Sequence, residues 1–282
     1  MPAYILTITC PDGPGIIHAV SGALLEIQAN VLEQEQYSDL ETGLFFARTK
    51  FESELTDVEA VRSLVVDRTS GFGTEVGLRL EAAHRRALIL VSQYDHCLLD
   101  LIYRREAGEL PLDIVGIVSN HETCRDIADR SGIPFHHLPV TPDSKAAQEE
   151  RVLELVEQER VDLVVLARYM QILSDRACQE LSGRVINIHH SFLPGFKGAR
   201  PYHQAHARGV KLIGATAHFV TSDLDEGPII EQEVERVNHT FTAEALSEIG
   251  RDVERLALSR AVKLFAQDRV FLNRDRTVVF GA

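Results

Sequence analysis

The sequence predicts an α/β protein of two domains, a small α+β domain followed by a doubly wound domain whose sheet is mostly parallel. The chain has 282 residues, 45% of them hydrophobic, which is long for one domain and comfortable for two. Residues 4–10 alternate apolar and polar positions, as in a strand with one solvent face, whereas residues 87–91 (ALILV) are apolar throughout, as in a strand buried on both faces. Further apolar runs alternate with charged helical stretches, which is typical of a parallel sheet.

The first domain, residues 1–83, is predicted to follow the order βαββαβ. After the strand at residues 4–10, the turn PDGPG at residues 11–15 leads into a helix. The apolar residues that share one face of this helix are Ile16, Val20, Ala23, Leu24 and Ile27. The other predicted elements are strands at residues 30–37, 44–51 and 76–80, a turn at 39–43 and a helix at about 55–68.

Residues 84–86 are predicted as a linker, and residues 87–282 as the second domain. Its buried strands are predicted at residues 87–91, 112–118, 161–167 and 185–189. Two later strands, residues 211–220 and 229–237, are expected to pair antiparallel at one side of the sheet. A long helix at residues 243–266 follows, with Glu244, Glu248 and Arg251 outward and Leu246, Ile249, Val253, Leu256 and Leu258 largely inward.

A cleft is expected where the parallel strands end, because doubly wound sheets bind ligands at the carboxyl ends of their strands. The segments expected around it are residues 92–97, 119–121, 168–171 and 187–191. Within them, Asn187 and His189 are separated by one residue on a strand, so both side chains point to one side of the sheet. Asp225 follows in the turn-like segment DEGP.

These three residue types suit chemistry at a carbonyl carbon. The amide of Asn187 and the imidazole of His189 can donate to an oxygen that becomes negative as the carbon turns tetrahedral. The carboxylate of Asp225 can orient or charge the histidine, or hold a water for attack. The same residue types are also common turn and capping residues, so the residues alone leave a structural interpretation open.

Composition excludes several classes of partner. The net charge of −13 provides no basic surface for nucleic acid. No apolar run reaches the roughly 18 residues of a membrane helix, and the first residues lack the charged region of a signal peptide. We therefore expect no nucleic-acid or membrane partner and a cytoplasmic location.

Motifs for cofactors and metals are also absent from the sequence. It contains neither GxGxxG nor GxxxxGK, so neither a dinucleotide nor a nucleoside triphosphate is expected as cofactor. The four cysteines, Cys10, Cys97, Cys124 and Cys178, stand apart without a CxxC pair, which predicts reduced, mostly buried thiols and no metal site. Cys97 is expected in a loop after a strand, where either a reactive or a buried structural thiol is consistent with the sequence.

Four ordered blocks resemble the folate-dependent formyl transferase and hydrolase superfamily: NIH at residues 187–189, SFLP at 191–194, GATAHFV at 214–220 and DEGP at 225–228. The resemblance covers about residues 86–282. It implies that Asn187 and His189 polarise a formyl oxygen and that Asp225 orders the attacking water. It also implies a substrate pocket formed by His218 and by Arg168, Tyr169, Met170, Gln171 and Ile172 of the segment LARYMQIL.

The opening string LTITCPDGPGIIHAVSGALLE resembles an ACT domain, a small ferredoxin-like module that commonly binds an amino acid or a similar effector. This resemblance implies an effector site at Asp12, Gly13 and Gly15, where the backbone turns tightly onto the first helix. A role in assembly alone is the competing interpretation. Because ACT modules often pair, the resemblance also implies a homo-oligomer.

An ACT-like module ahead of the formyl domain matches the hydrolases of the superfamily. This layout implies hydrolysis of 10-formyltetrahydrofolate to tetrahydrofolate and formate without a cofactor, which balances one-carbon folate pools and supplies formate for purine synthesis. Glycinamide ribonucleotide formyltransferase, the first alternative, carries a glycine- and serine-rich phosphate loop after its first strand. Here residues 91–97 (VSQYDHC) contain no glycine and one acidic residue, which favours water as the acceptor. A catalytically inactive amino-acid sensor is the second alternative.

Overall fold

A computed structural model describes residues 1–193 and 201–281, with Pro201 described in its backbone alone. Pro194, the last residue of the SFLP block, lies outside the described residues. The chain divides into two compact units. The first comprises Met1–His84, Asp268–Asn273 and Thr277–Ala282, and the second comprises Arg85–Gln267 and Arg274–Arg276.

The first unit contains a four-stranded antiparallel sheet and two α-helices. In chain order the elements are β1 (Ala3–Pro11), α1 (Ile16–Glu26), β2 (Asn30–Asp39), β3 (Leu44–Glu52), α2 (Val58–Thr69) and β4 (Glu75–Leu80). The strands lie in the order β2-β3-β1-β4, and the predicted βαββαβ succession is confirmed. Helix α2 begins later than expected because Asp57 caps it, accepting a hydrogen bond from the backbone amide of Ala60.

The second unit is built on a seven-stranded sheet. Its elements are β5 (Arg85–Val91), α3 (His96–Glu106), β6 (Leu112–Ser119), α4 (Arg125–Arg130), β7 (Phe135–His137), α5 (Lys145–Gln158), β8 (Leu163–Leu166), α6 (Asp175–Glu180), β9 (Val185–His189), α7 (Pro201–Arg208), β10 (Leu212–Phe219), β11 (Ile229–Arg236) and α8 (Ala243–Ala266). The strand order is β11-β10-β9-β8-β5-β6-β7. Strands β5 to β9 pair in parallel, and β10 and β11 add antiparallel strands at one edge, as predicted.

The expected linker at residues 84–86 is wrong in its last two positions. Arg85 and Arg86 begin β5 and pair with residues of β6. Their charges are compatible with a strand end because carboxylates lie close by: Arg85 is 3.3 Å from Asp162, and the guanidinium of Arg86 is 3.0 Å from Glu159. The strand expected at residues 161–167 is also shorter, since β8 covers Leu163–Leu166.

Helix α8 has the predicted bounds, but its buried face is more polar than expected. Leu246, Val253 and Leu258 are buried, whereas Ile249 and Leu256 are only half-buried. Glu254 is buried on the same face. Gly250 is also buried there, and a Cβ atom at that position would lie 2.1 Å from the ring of Tyr202 on α7. The glycine therefore allows α7 to approach α8 closely.

The last strands, β12 (Val270–Asn273) and β13 (Arg276–Val279), form a two-stranded sheet that the sequence did not predict. Most of this segment groups with the first unit, so the expected assignment of all residues from 87 to 282 to the second domain needs correction. Phe271 packs edge-on against Phe46 at 5.8 Å between ring centroids, and Phe280 packs against Phe271 at 5.3 Å. Burial of these aromatic rings explains the grouping.

All four cysteines are free and buried, as predicted. Cys97 lies in the first turn of α3 rather than in a loop, and burial, its largest influence, raises the thiol pKa well above its ordinary value. A protonated, enclosed thiol is a poor nucleophile, so the structural interpretation of Cys97 is the better one. Across residues 1–193 and 201–281, no helix is both long enough and apolar enough to span a lipid bilayer.

Candidate active site

A cleft of about 320 Å³ opens in the second unit, beside the carboxyl ends of β8 and β9. It is lined by every residue that the sequence predicted as catalytic or substrate-binding: Asn187, His189, Asp225, Arg168, Tyr169, Met170, Gln171, Ile172 and His218. Asn187 and His189 lie on the parallel strand β9. The antiparallel strand β10 pairs with β9 and places His218 directly opposite Asn187. The cleft lies at the carboxyl edge of the sheet beside β8 and β9, whereas the expected segments at residues 92–97 and 119–121 do not line it.

The amide of Asn187 is oriented by His218. Its Nδ2 lies 3.2 Å from Nε2 of His218, whose Nδ1 donates to the carbonyl of Phe219 at 2.8 Å. Burial lowers the pKa of His218, although the carbonyl hydrogen bond opposes this shift. The ring is therefore neutral near pH 7, and its unprotonated Nε2 accepts from the Asn187 amide. This arrangement leaves the second N–H of that amide for another acceptor.

His189 and Asp225 form a hydrogen-bonded pair. Nδ1 of His189 lies 3.1 Å from Oδ1 of Asp225, and this hydrogen bond is the main reason that the pKa of the carboxyl group is below its ordinary value. Because a carboxylate can only accept, Nδ1 carries the proton. Nε2 of His189 has no hydrogen-bond partner among the described residues. The same oxygen of Asp225 is 3.9 Å from His218, too far for a hydrogen bond to that neutral ring.

The backbone around Asp225 holds its side chain toward the histidines. Asp225 has φ 57°, a left-handed conformation that aspartate adopts more readily than most residues. The chain then returns to β10, where the amide of Phe219 donates to the carbonyl of Pro228 at 2.9 Å. A Cβ atom on Gly227 would lie 1.8 Å from the carbonyl oxygen of Phe219. Glycine at 227 is therefore required for this close return.

The segment after β8 forms an apolar rim of the cleft. Met170 and Ile172 are 56% and 58% exposed, so they are not core residues. Tyr169 is buried, and its hydroxyl accepts from Nε2 of Gln148 at 2.9 Å, so it supports the wall from behind. The predicted segments at residues 92–97 and 119–121 lie next to this wall: Oγ of Ser92 accepts from the Met170 amide at 3.0 Å and donates to Asn120 at 2.7 Å.

Two residues at or beside the cleft, Leu224 and Glu254, were not predicted, and His190 was expected there only as part of the segment 187–191. His190 lines the cleft beside His189, and burial together with the Arg168 charge lowers its pKa to about 4. Leu224 extends the apolar rim. Glu254 lies behind Arg168, at 3.3 Å from its Nε. The helical period could have indicated Glu254, because it falls four residues after the buried Gly250 and four before the buried Leu258.

The only cluster of metal-ligand types among the described residues consists of His96, Cys97 and Glu254, whose candidate ligand atoms lie within 4.8 Å of one another. A cation there would compete with the guanidinium of Arg168 for the Glu254 carboxylate. The raised pKa of Cys97 also keeps its sulfur protonated, whereas metals bind the thiolate. The donor set is thus poorly suited to a metal ion.

The residues predicted to bind an effector lie in the first unit, in the turn between β1 and α1. Gly15 has φ 98° and precedes the first residue of α1, so the tight turn expected from PDGPG is present. The backbone amide of Asp12 donates to the carbonyl of Gly43 at 2.8 Å, while the Asp12 side chain is exposed. Gly13 has open space around its Cα, which leaves room beside the turn.

Comparison with known proteins first defines the class. The formyl transferase family model matches residues 85–262, a range that contains the whole cleft. Formyltetrahydrofolate deformylase of Corynebacterium sp. (strain P-1) is 48% identical over 278 residues, 98% of this chain and 97% of the relative. The chain belongs to the formyltetrahydrofolate deformylase family.

Solved structures agree with this assignment. The crystal structure of formyltetrahydrofolate deformylase from Burkholderia mallei has a TM-score of 0.96 and 52% identity, with 100% of both chains covered. Glycinamide ribonucleotide transformylase 1 from Symbiobacterium toebii has a TM-score of 0.67 and 29% identity, covering 73% of this chain and 98% of that chain. The transformylase therefore resembles this chain over a smaller part, whereas the deformylase matches it along its whole length.

Proposed function

We propose that the protein hydrolyses 10-formyltetrahydrofolate to tetrahydrofolate and formate. The observation that carries this proposal is the convergence of Asn187, His189 and Asp225 on one cleft, with Nε2 of His189 left without a hydrogen-bond partner among the described residues. These groups supply an oxyanion donor and a proton acceptor, the two functions that attack of water on a formyl carbon requires.

The proton path runs through His189. A carboxylate whose pKa is lowered is a weak base, so Asp225 is less suited to deprotonate water than the imidazole it holds. In this mechanism water attacks the formyl carbon while its proton passes to Nε2 of His189, and Asp225 stabilises the imidazolium that forms. The Asn187 amide donates to the oxygen as it becomes negative. The bond from carbon to N10 then breaks, N10 takes the proton from Nε2, and formate is released with the loss of one proton.

Substrate binding uses the apolar rim. Met170, Ile172 and Leu224 are large apolar side chains exposed at the cleft, and such surfaces suit the flat pteridine and aminobenzoyl groups of a folate. Arg168, Tyr169 and Gln171 line the same wall. We propose that the reaction needs no cofactor, because the groups above account for every proton and bond in it.

Formate release separates this function from its alternatives. The purified protein is incubated with 10-formyltetrahydrofolate, with and without glycinamide ribonucleotide, and formate, tetrahydrofolate and formylated nucleotide are measured. Formate without the nucleotide is the expected result. Turnover only with the nucleotide would make the protein a transferase. Absence of turnover with and without candidate amino-acid effectors would instead favour an inactive sensor.

The first unit is proposed to be an ACT-type regulatory module with an amino-acid effector at Asp12, Gly13 and Gly15. Strand β2 supports a homo-oligomer: it lies at the edge of its sheet, and most of its side chains are exposed, including Val31 and Tyr37. Such an edge can pair with a second copy of the chain. We further propose that the enzyme works in the cytoplasm, where its formate and tetrahydrofolate serve purine synthesis and the balance of one-carbon folates. Light scattering and titration with amino acids would test assembly and effector binding.

A further inference from the structure

Residues 168–174, which we call the rim segment, connect β8 to α6 and carry part of the apolar rim of the cleft. The segment forms neither helix nor strand, and among the described residues none of its amides donates to another backbone group. Two of its large apolar side chains, Met170 and Ile172, are nevertheless exposed at the cleft. The conformation of the rim segment therefore depends on contacts with other elements.

Helix α5 supplies two of these contacts from consecutive residues. Nε2 of Gln148 donates to the hydroxyl of Tyr169 at 2.9 Å, near the start of the rim segment. Oε1 of Glu149 accepts from the backbone amide of Ser174 at 2.7 Å, at the end of the segment. The two side chains therefore hold the rim segment at both ends, although neither residue lines the cleft.

Both hydrogen bonds lie where they fix the geometry of the chain. Gln148 and Tyr169 are 8% and 6% exposed, so water does not compete for the bond between them. At the other end, the hydroxyl of Ser174 accepts from the amide of Ala177 and caps α6. Glu149 thus fixes the point at which the rim segment passes into a helix.

Gln148 differs in character from the rest of the buried face of α5. The other buried residues of that helix are the apolar Val152, Leu153, Leu155 and Val156. A leucine at position 148 and a phenylalanine at position 169 would pack there without the desolvation of two polar groups. A hydrogen bond adds direction, which apolar packing lacks, and so holds the Tyr169 ring in one position beside Met170.

The rim segment is therefore in place before a ligand binds. Between the two contacts from α5, Oγ of Ser92 accepts from the amide of Met170 at 3.0 Å. A binding surface that is already ordered does not lose further conformational freedom when its ligand arrives. If only a fraction of the molecules had the correct surface, the dissociation constant would rise in inverse proportion to that fraction.

We propose that Gln148 and Glu149 are positioning residues for folate binding, which hold the rim segment in the conformation that receives the flat ring systems of the ligand. They set the affinity for the folate and leave the chemical step at His189 unchanged, because they lie behind the rim rather than at the reacting groups. The identity of the ligand rests on the proposed function, whereas the support of the rim segment by α5 rests on the two hydrogen bonds.

The first test separates binding from chemistry. Gln148→Leu is compared in the full-length protein with the wild type and with Gln158→Leu, the same change at an exposed position of α5. Formate release gives kcat and KM, and calorimetry gives the Kd of tetrahydrofolate. We expect Gln148→Leu to raise KM and Kd at least about threefold and to change kcat less than about twofold, because only the population of the correct surface falls. KM and Kd values equal to those of the control would overturn the proposal.

The second test uses a conservative variant of Glu149. Glu149→Ala removes the acceptor of the Ser174 amide and should raise KM and Kd at least about threefold, whereas Glu149→Gln keeps an oxygen that can accept and should stay within about twofold of the wild type. Glu157→Ala, at an exposed position of the same helix, is the control. Equal losses in Glu149→Ala and Glu149→Gln would show that charge rather than the hydrogen bond matters, which contradicts the proposed role.

A double variant tests whether Gln148 acts through Tyr169. Tyr169→Phe removes the hydroxyl, so the further change Gln148→Leu has no hydrogen bond left to break and should alter Kd by less than about twofold. The same factor in both backgrounds would show that Gln148 acts elsewhere and would overturn its role. If Gln148→Leu does not fold, the Glu149 variants decide the question, because that residue is only half-buried.

Binding and hydrolysis in the same proteins distinguish this inference from the proposed function. Tetrahydrofolate binding by a wild type that releases no formate, together with weaker binding by Gln148→Leu and Glu149→Ala, would refute hydrolysis and leave the positioning role standing. Formate release with the same KM in every variant would refute the positioning role alone. A wild type that binds no tetrahydrofolate would refute both.

Discussion

Replacement of Asp225 by asparagine tests the proton path through His189. The amide oxygen of the variant can still accept a hydrogen bond from Nδ1, which lies 3.1 Å from Oδ1 in the native pair. It cannot stabilise the positive charge that the ring acquires when it takes a proton from water. General acid–base catalysis contributes about 100- to 10,000-fold, or about 3–5 kcal/mol of barrier, so we expect turnover to fall within that range.

Folate binding should survive this substitution because the apolar rim is unchanged. The assay measures formate and tetrahydrofolate under single-turnover conditions, and the dissociation constant of a non-hydrolysable folate is measured in parallel. Asp143→Asn, at an exposed loop position, is the control for the same chemical change. Turnover within about threefold of wild type would refute the role of Asp225, since such a loss is smaller than any contribution expected from a proton-transfer group.

Four further outcomes are expected. His189→Ala should lower turnover by more than about tenfold, and a near-normal rate would show that Nε2 is not the proton acceptor. The pKa of His190 is about 4 in the folded protein against 6.5 ordinarily, so the unfolded chain binds more protons between these values and the wild type loses stability as the pH falls through this window. Between pH 7 and 5 the free energy of unfolding of His190→Asn should therefore fall by about 1–2 kcal/mol less than that of the wild type, as measured by urea unfolding. Gly227→Ala should displace Asp225 and reduce turnover at least about tenfold, because the added Cβ atom would clash with the carbonyl oxygen of Phe219. Full activity with an unchanged melting temperature would show that the chain at residue 227 does not pass this close to β10. A chain limited to residues 85–267 should keep the intrinsic chemistry but lose effector response or assembly, and loss of all activity in a folded preparation would contradict this.

The sequence predicted best where a local pattern carries the structural information. The apolar run at residues 185–189 gave β9 with its observed bounds, and the helical period gave α8. Asn187 and His189 could be placed on one side of the sheet because strand geometry alternates side chains between faces. His218 was predicted from the resemblance of residues 214–220 to the superfamily, and the structure shows the hydrogen bonds that explain its position.

The remaining features depend on contacts between distant residues. Glu254 lies on an inward face where an apolar residue is expected, and only the three-dimensional arrangement brings His96 and Tyr202 to its carboxylate. Arg85 and Arg86 looked like a charged linker because the carboxylates of Asp162 and Glu159 are far away in the sequence. The short strands β12 and β13 carry too few residues for a clear period, and their pairing with the first unit is a tertiary effect.

The return of the chain to its first unit has a consequence for synthesis on the ribosome. Phe46 is fully buried, and Phe271 is one of the rings that cover it. Residue 271 leaves the ribosome only after all of β5 to α8 has been made. Until then the first unit presents an uncovered aromatic surface, so a nascent-chain chaperone has a hydrophobic target there for most of translation. The aromatic cluster of the first unit can therefore be completed only after the second unit has been synthesised.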